Sequence, residues 1–170
     1  MKYPILIAIL LAAFSDCEPK PKPISSMNPV NWKKRSIDLS PADSSLYHGS
    51  SYLSVYSEVY ERTEKLTYGL TVTVSMRNIS STDSVFLFHA HYYNTDGELI
   101  RSYFEHPIFI RPMETVEIVI DEIDKGGGTG GNFLFDWSTR SSSVEPFFEA
   151  VMISTTGQQG ISFTTQGVRR

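Results

Sequence analysis

The chain of 170 residues has a single cysteine, so no internal disulfide can form and the fold must hold without one even in an oxidising compartment. Its longest apolar run, residues 5–14 (ILIAILLAAF), has about half the twenty residues that a bilayer-spanning helix needs. The body lacks a basic surplus: residues 36–170 hold nine basic against seventeen acidic side chains. A surface that neutralises phosphates needs the reverse balance, which argues against DNA or RNA as a partner. There is no Gly-x-Ser-x-Gly elbow and no Gly-Lys-Ser/Thr ending to a glycine-rich loop, so neither a hydrolase nucleophile nor a P-loop is written here. Long stretches of helical period are missing too. At this length the chain suits one domain with a real core.

What is present begins with an address. Lys2 precedes the apolar run, and Ala13 and Ser15 stand three and one residues before Asp16, the small-x-small pattern of a cleavable signal peptide. We therefore assign residues 1–16 to an export signal. Cys17 follows directly and resembles the lipidated first residue of a bacterial lipoprotein. The preceding Phe14, Ser15 and Asp16 match a lipobox only in part, because a small residue is expected at Asp16. Two outcomes stay open: a Cys17-lipidated protein anchored to a membrane, or a soluble periplasmic one that starts at Asp16. The position of the lone thiol favours the first. Residues 17–45 contain Pro19, Pro21, Pro23, Pro29 and Pro41 and read as a Pro-rich, extended tether. Residues 16–35 hold five basic and two acidic side chains, a short positive run beside the anchor. Trp32 is the large apolar group of that segment, placed either on the domain or at a membrane interface.

From residue 46 to 170 the apolar period is close to two. Leu70, Val72, Val74 and Met76 alternate with polar residues, as do Val116, Ile118 and Ile120, and Phe133, Phe135 and Trp137. Residues 147–154 are apolar on both sides, as in a central strand, and Ile161 and Phe163 open a last strand. Residues 52–60 are read as one strand. Asn94, Thr95, Asp96 and Gly97 form a turn that joins residues 85–93 to 98–104 in a hairpin. Pro107 and Pro112 bracket a short edge segment. The expectation is an all-β, antiparallel β-sandwich of immunoglobulin-like type.

The segments YLSVYSEVY (52–60), LTVTVSMRN (70–78), YYNTDGELIRSY (92–103), GGGTGGNFLFDW (126–137) and EAVMISTTGQQGISFTTQG (149–167) together resemble an uncharacterised family of exported bacterial proteins that share a domain of unknown function. The resemblance spans residues 47–168. It implies a β-sandwich and an exported location, and it brings no catalytic residues with it.

Candidate chemistry is sparse. His89 and His91, two apart on a strand, share a face as the His-x-His pair of metal-binding barrels does, but no third ligand stands nearby at a useful spacing. A partly covered sheet surface is the default explanation and outweighs a metal site; His48 and His106 are isolated. Gly126, Gly127, Gly128, Gly130 and Gly131 form a flexible or tightly turning connection, and glycines let a backbone approach a partner closely. Asp121, Glu122 and Asp124 read as a solvated acidic loop. The leading reading is a non-enzymatic envelope domain without a cofactor that binds another protein, or itself, through a sheet edge or loops. Its expected contact residues are the glycines with Asn132 in 126–132, and Gln158 and Gln159 in 157–160. The rivals are a metal-binding protein or metal-dependent enzyme built on the histidine pair, and a glycan-binding sandwich that uses exposed aromatics.

Overall fold

The computed structural model describes residues 32–140, 143–155 and 160–170. Cys17, Gln158 and Gln159 lie outside the described residues, as do the signal and most of the tether. Among the described residues, twelve strands follow a helical turn, α1 (Trp32–Arg35). They are β1 (Tyr47–Val55), β2 (Glu58–Tyr60), β3 (Thr67–Gly69), β4 (Thr71–Arg77), β5 (Val85–Tyr93), β6 (Leu99–Ser102), β7 (Ile108–Ile110), β8 (Thr115–Ile120), β9 (Gly131–Thr139), β10 (Phe147–Ser154), β11 (Ile161–Gln166) and β12 (Val168–Arg169).

One sheet runs β12-β1-β9-β5-β6, with β7 also on β5; the other runs β11-β10-β4-β8, and β2 and β3 form a small ribbon. Every pairing is antiparallel. The chain is thus an all-β sandwich in which β4 pairs with β8 as immunoglobulin strand B does with E, and β5 with β9 as C does with F, β8 lying at the edge of its sheet. Its outer strands are exchanged relative to that plan: β1 flanks β9, where the last strand of an immunoglobulin domain lies, and β10 flanks β4, where the first lies.

The alternation decides which side chains meet between the sheets. Leu70, Val72, Val74 and Met76 are fully buried, as are Ile118, Ile120, Phe133 and Phe135. Aromatic rings stack in series across the interior: Tyr92 on Phe133 at 4.8 Å, Phe133 on Phe135 at 5.5 Å, and Phe135 on Phe148 at 4.2 Å. Offset stacking of this kind adds to the area each ring buries.

Two elements differ from the sequence reading. Residues 52–60 divide into β1 and β2, because Ser57 is drawn out of line: its N–H donates to the Gly128 carbonyl at 3.1 Å and its carbonyl accepts the Leu70 N–H at 2.8 Å. Residues 32–37, within the segment read as tether, pack on the sandwich. Trp32 lies 5.4 Å from Phe104, Arg35 makes a two-pronged bond to Glu114 at 2.9 and 2.8 Å, and the Ile37 N–H donates to the Pro107 carbonyl.

Candidate functional site

The outer face of the six-stranded sheet carries the most site-like surface among the described residues. Even-numbered positions of β9 point there: Asn132, Leu134 and Asp136. Register places Tyr52 of β1 beside Leu134, with Val168 of β12 on its other side. From β5, Tyr93 lies beside Asn132, His91 beside Leu134 and His89 beside Asp136. Tyr52, Tyr93, Asn132, Leu134, Val168 and Arg170 line an open groove of about 450 Å³. A mostly apolar hollow of this size with few oriented polar groups is the usual form of a ligand site.

The polar group at its floor is fixed from both ends. The Tyr52 hydroxyl donates to Asn132 Oδ1, and Asn132 Nδ2 donates to the Gly130 carbonyl at 3.1 Å. The glycine-rich segment therefore orients the amide, and the amide orients the ring. A neighbouring hollow of about 350 Å³ is lined by His48, Phe88, His89, Asp136 and Trp137 among others.

The glycines themselves have a packing reason. A Cβ on Gly127 would overlap the Tyr92 hydroxyl and lie 2.8 Å from Ser57 Oγ. Gly128 has φ +66 and would place a Cβ 2.6 Å from Thr95 Oγ1. Thr95 Oγ1 donates to the Gly127 carbonyl at 3.1 Å and accepts the Gly130 N–H at 3.0 Å, closing the segment into a 3-10 turn at Gly128–Gly130. Under it Tyr92 and Ser57 share a hydrogen bond of 2.6 Å. Burial foremost pushes the Tyr92 hydroxyl up to about 12, so it stays protonated. Gly127 and Gly131 are buried, while Gly126 is exposed and Gly128 and Gly130 are half-buried.

His89 and His91 do share a face, with rings stacked 4.7 Å apart. Burial first, and then the charge of His89, hold His91 below the usual histidine range, while Asp136 opposes the shift. A ring nitrogen's lone pair lies in its ring plane, so stacked rings do not converge on one ion. Among the described residues no group of three or more His, Cys, Asp or Glu could hold a metal. The metal-binding alternative thus finds no support. His48 bonds to the Asp43 carbonyl at 2.8 Å. The loop read as solvated and acidic is split: Asp121 is exposed, but Asp124 is buried and held 2.8 Å from Arg101 Nη1.

Of the residues expected at a binding surface, Asn132 lies in the groove and Gly130 supports it. Tyr52, Tyr93, Leu134 and Val168 were not singled out from the sequence. Period two gives the face of each, but not the register that joins three strands into one hollow.

Fold and groove together define an antiparallel β-sandwich with an open pocketed face. The chain belongs to the family described as Protein of unknown function (DUF3124), which matches residues 48–169. No curated protein matches the chain. A solved structure, "Crystal Structure of Thermotoga maritima 1070", is similar over 71% of this chain and 94% of that one, at 11% identity and a TM-score of 0.43.

Proposed function

We propose that this chain is an exported, non-enzymatic binding domain, tethered to the cell envelope through a lipidated Cys17, that takes a segment of a partner protein in the groove between Tyr52 and Tyr93. The observation that carries the reading is the doubly fixed Asn132 amide in a mostly apolar hollow that Arg169 and Arg170 border. Such an amide has its geometry set before a ligand arrives, which lowers the cost of binding. Export and anchoring are supported by Lys2, the apolar run 5–14, and the position of Cys17 behind it.

Native mass spectrometry of the protein released gently from host membranes tests both halves. The expected species carries lipid on Cys17 and a bound protein. A soluble form that starts at Asp16 would remove the anchor from this reading. Tyr52→Ala and Asn132→Ala should weaken the protein complex by about tenfold or more while melting changes little. If both variants keep the adduct, the groove is not the contact. A second reading, a saccharide in the same groove, is favoured by two tyrosines that flank a fixed amide. Soluble cell-wall fragments that displace the protein adduct would select it.

A further inference from the structure

We infer that β11 is a self-association edge, through which two copies of this chain pair antiparallel about a two-fold axis. The inference stands on a different element from the groove and does not depend on it. A sheet edge presents unpaired N–H and C=O groups, and proteins protect such edges with proline, charge, shortness or a covering segment. This molecule uses all four devices, at other edges. β7 lies between Pro107 and Pro112, and Ser36 bridges to Ile108 on its open side. β12 is two residues long and carries Arg169. β6 carries Arg101, whose charge is drawn inward to Asp124. β8 shows an exposed Glu117 near its middle.

β11 carries no proline and no charge, and among the described residues no strand pairs with its open side. Ile161–Gln166 is six residues without charge, proline or glycine, and four of the six are β-branched or aromatic. Among the described residues it pairs with β10 alone. It is also held ready for a partner: Thr165 Oγ1 donates to the Ser54 carbonyl at 2.6 Å, and the Gly167 N–H to the Phe148 carbonyl at 2.8 Å. Ser162, Thr164 and Gln166 are exposed, and Ile153 and Ile161, at 40% and 43% exposure, place apolar surface beside them. An uncharged strand meets its own antiparallel copy with no like charges opposed, whereas β8 would bring Glu117 towards its copy. A second copy is thus the occupant this edge fits, and an isologous pair turns the four-stranded sheet into an eight-stranded one. One strand of contact sits at the small end of specific interfaces, so dissociation is expected in about the micromolar range.

Sedimentation equilibrium of the full chain over a range of concentrations is the test. The wild type should shift from monomer to dimer. Thr164→Lys sets like charges near the axis and should weaken the dimer at least about tenfold with its melting curve intact. Thr164→Glu alone should do the same, and an equimolar mixture of the two variants should recover the dimer. A wild type that stays monomeric throughout, or a Thr164→Lys chain that dimerises as tightly as the wild type, overturns the proposal. So does a mixture that associates no better than either variant by itself.

Discussion

Phe133, Phe135 and Trp137 point from β9 into the sandwich, where at most 1% of each is exposed, while Asn132, Leu134 and Asp136 point from the same strand to the open face. The two sets share backbone, neighbours in sequence and neighbouring strands. They differ in what lies opposite. Inside, rings meet rings at stacking distance from Tyr92 to Phe148. Outside, an amide held by Tyr52 and Gly130 borders a hollow. Stability on this strand therefore belongs to the odd positions, and the proposed recognition falls to the even ones.

The largest effect that would test this division is Phe135→Ala against Leu134→Ala. Removing Phe135 leaves a cavity between Phe133 and Phe148, and should cost about 3–5 kcal/mol in urea unfolding. Leu134 sits half-buried on the groove side, and its truncation should cost under about 1 kcal/mol while binding falls. Comparable losses of stability would mean that the outer face is also packed in solution, and the division between faces would fail.

Next in size is Gly127→Ala, which joins the two faces through one turn. Its Cβ would strike the Tyr92 hydroxyl, and that ring is clamped against Phe133. Either the ring or the turn must move, so a loss of about 1–3 kcal/mol is expected from overpacking. Because the same turn supplies the Gly130 carbonyl to Asn132, binding should weaken in the same variant. Gly97→Ala gives the contrast: nothing lies within 4 Å of its Cβ, and only its φ of +82 is strained. It should cost about 1–2 kcal/mol and leave the Asn132–Gly130 bond in place, although Gly97 itself borders the groove. Thermal melts of the pair separate packing from backbone strain.

Much of the sandwich was legible because alternation is a local signal. The buried set on β4, β8 and β9 reads directly from Leu70, Ile118 and Phe133 and their next-but-one neighbours. The division of residues 52–60 was not, since the bond that draws Ser57 aside comes from Gly128, seventy-one positions away. Asn132 was legible as a candidate because it closes a glycine-rich segment that exposes backbone. Tyr52 was not, because its place in the groove comes from pairing with Leu134 and Val168. The histidine pair shows the same limit: two-residue spacing fixed the common face, but ring stacking, which decides the chemistry, depends on side-chain rotation.

That pair also gives the smallest expected effect, and it sharpens the comparison on the open face. His91 is held below its ordinary value of 6.5, first by burial, then by the charge of His89, against the pull of Asp136. Its folded value lies under its unfolded one, so as pH falls the unfolded chain takes the proton first. Stability from this group is complete above the unfolded value and declines as pH drops through it towards the folded value. Unfolding measured from about pH 7.5 to about pH 5 should show a modest decline in the wild type. His91→Gln should flatten it. His89→Gln should flatten it only in part, since burial remains, and Asp136→Asn should steepen it. If His89→Gln flattens the decline as fully as His91→Gln does, charge between the rings outweighs burial, and the outer face near β5 is more open to water than its half-buried groove side.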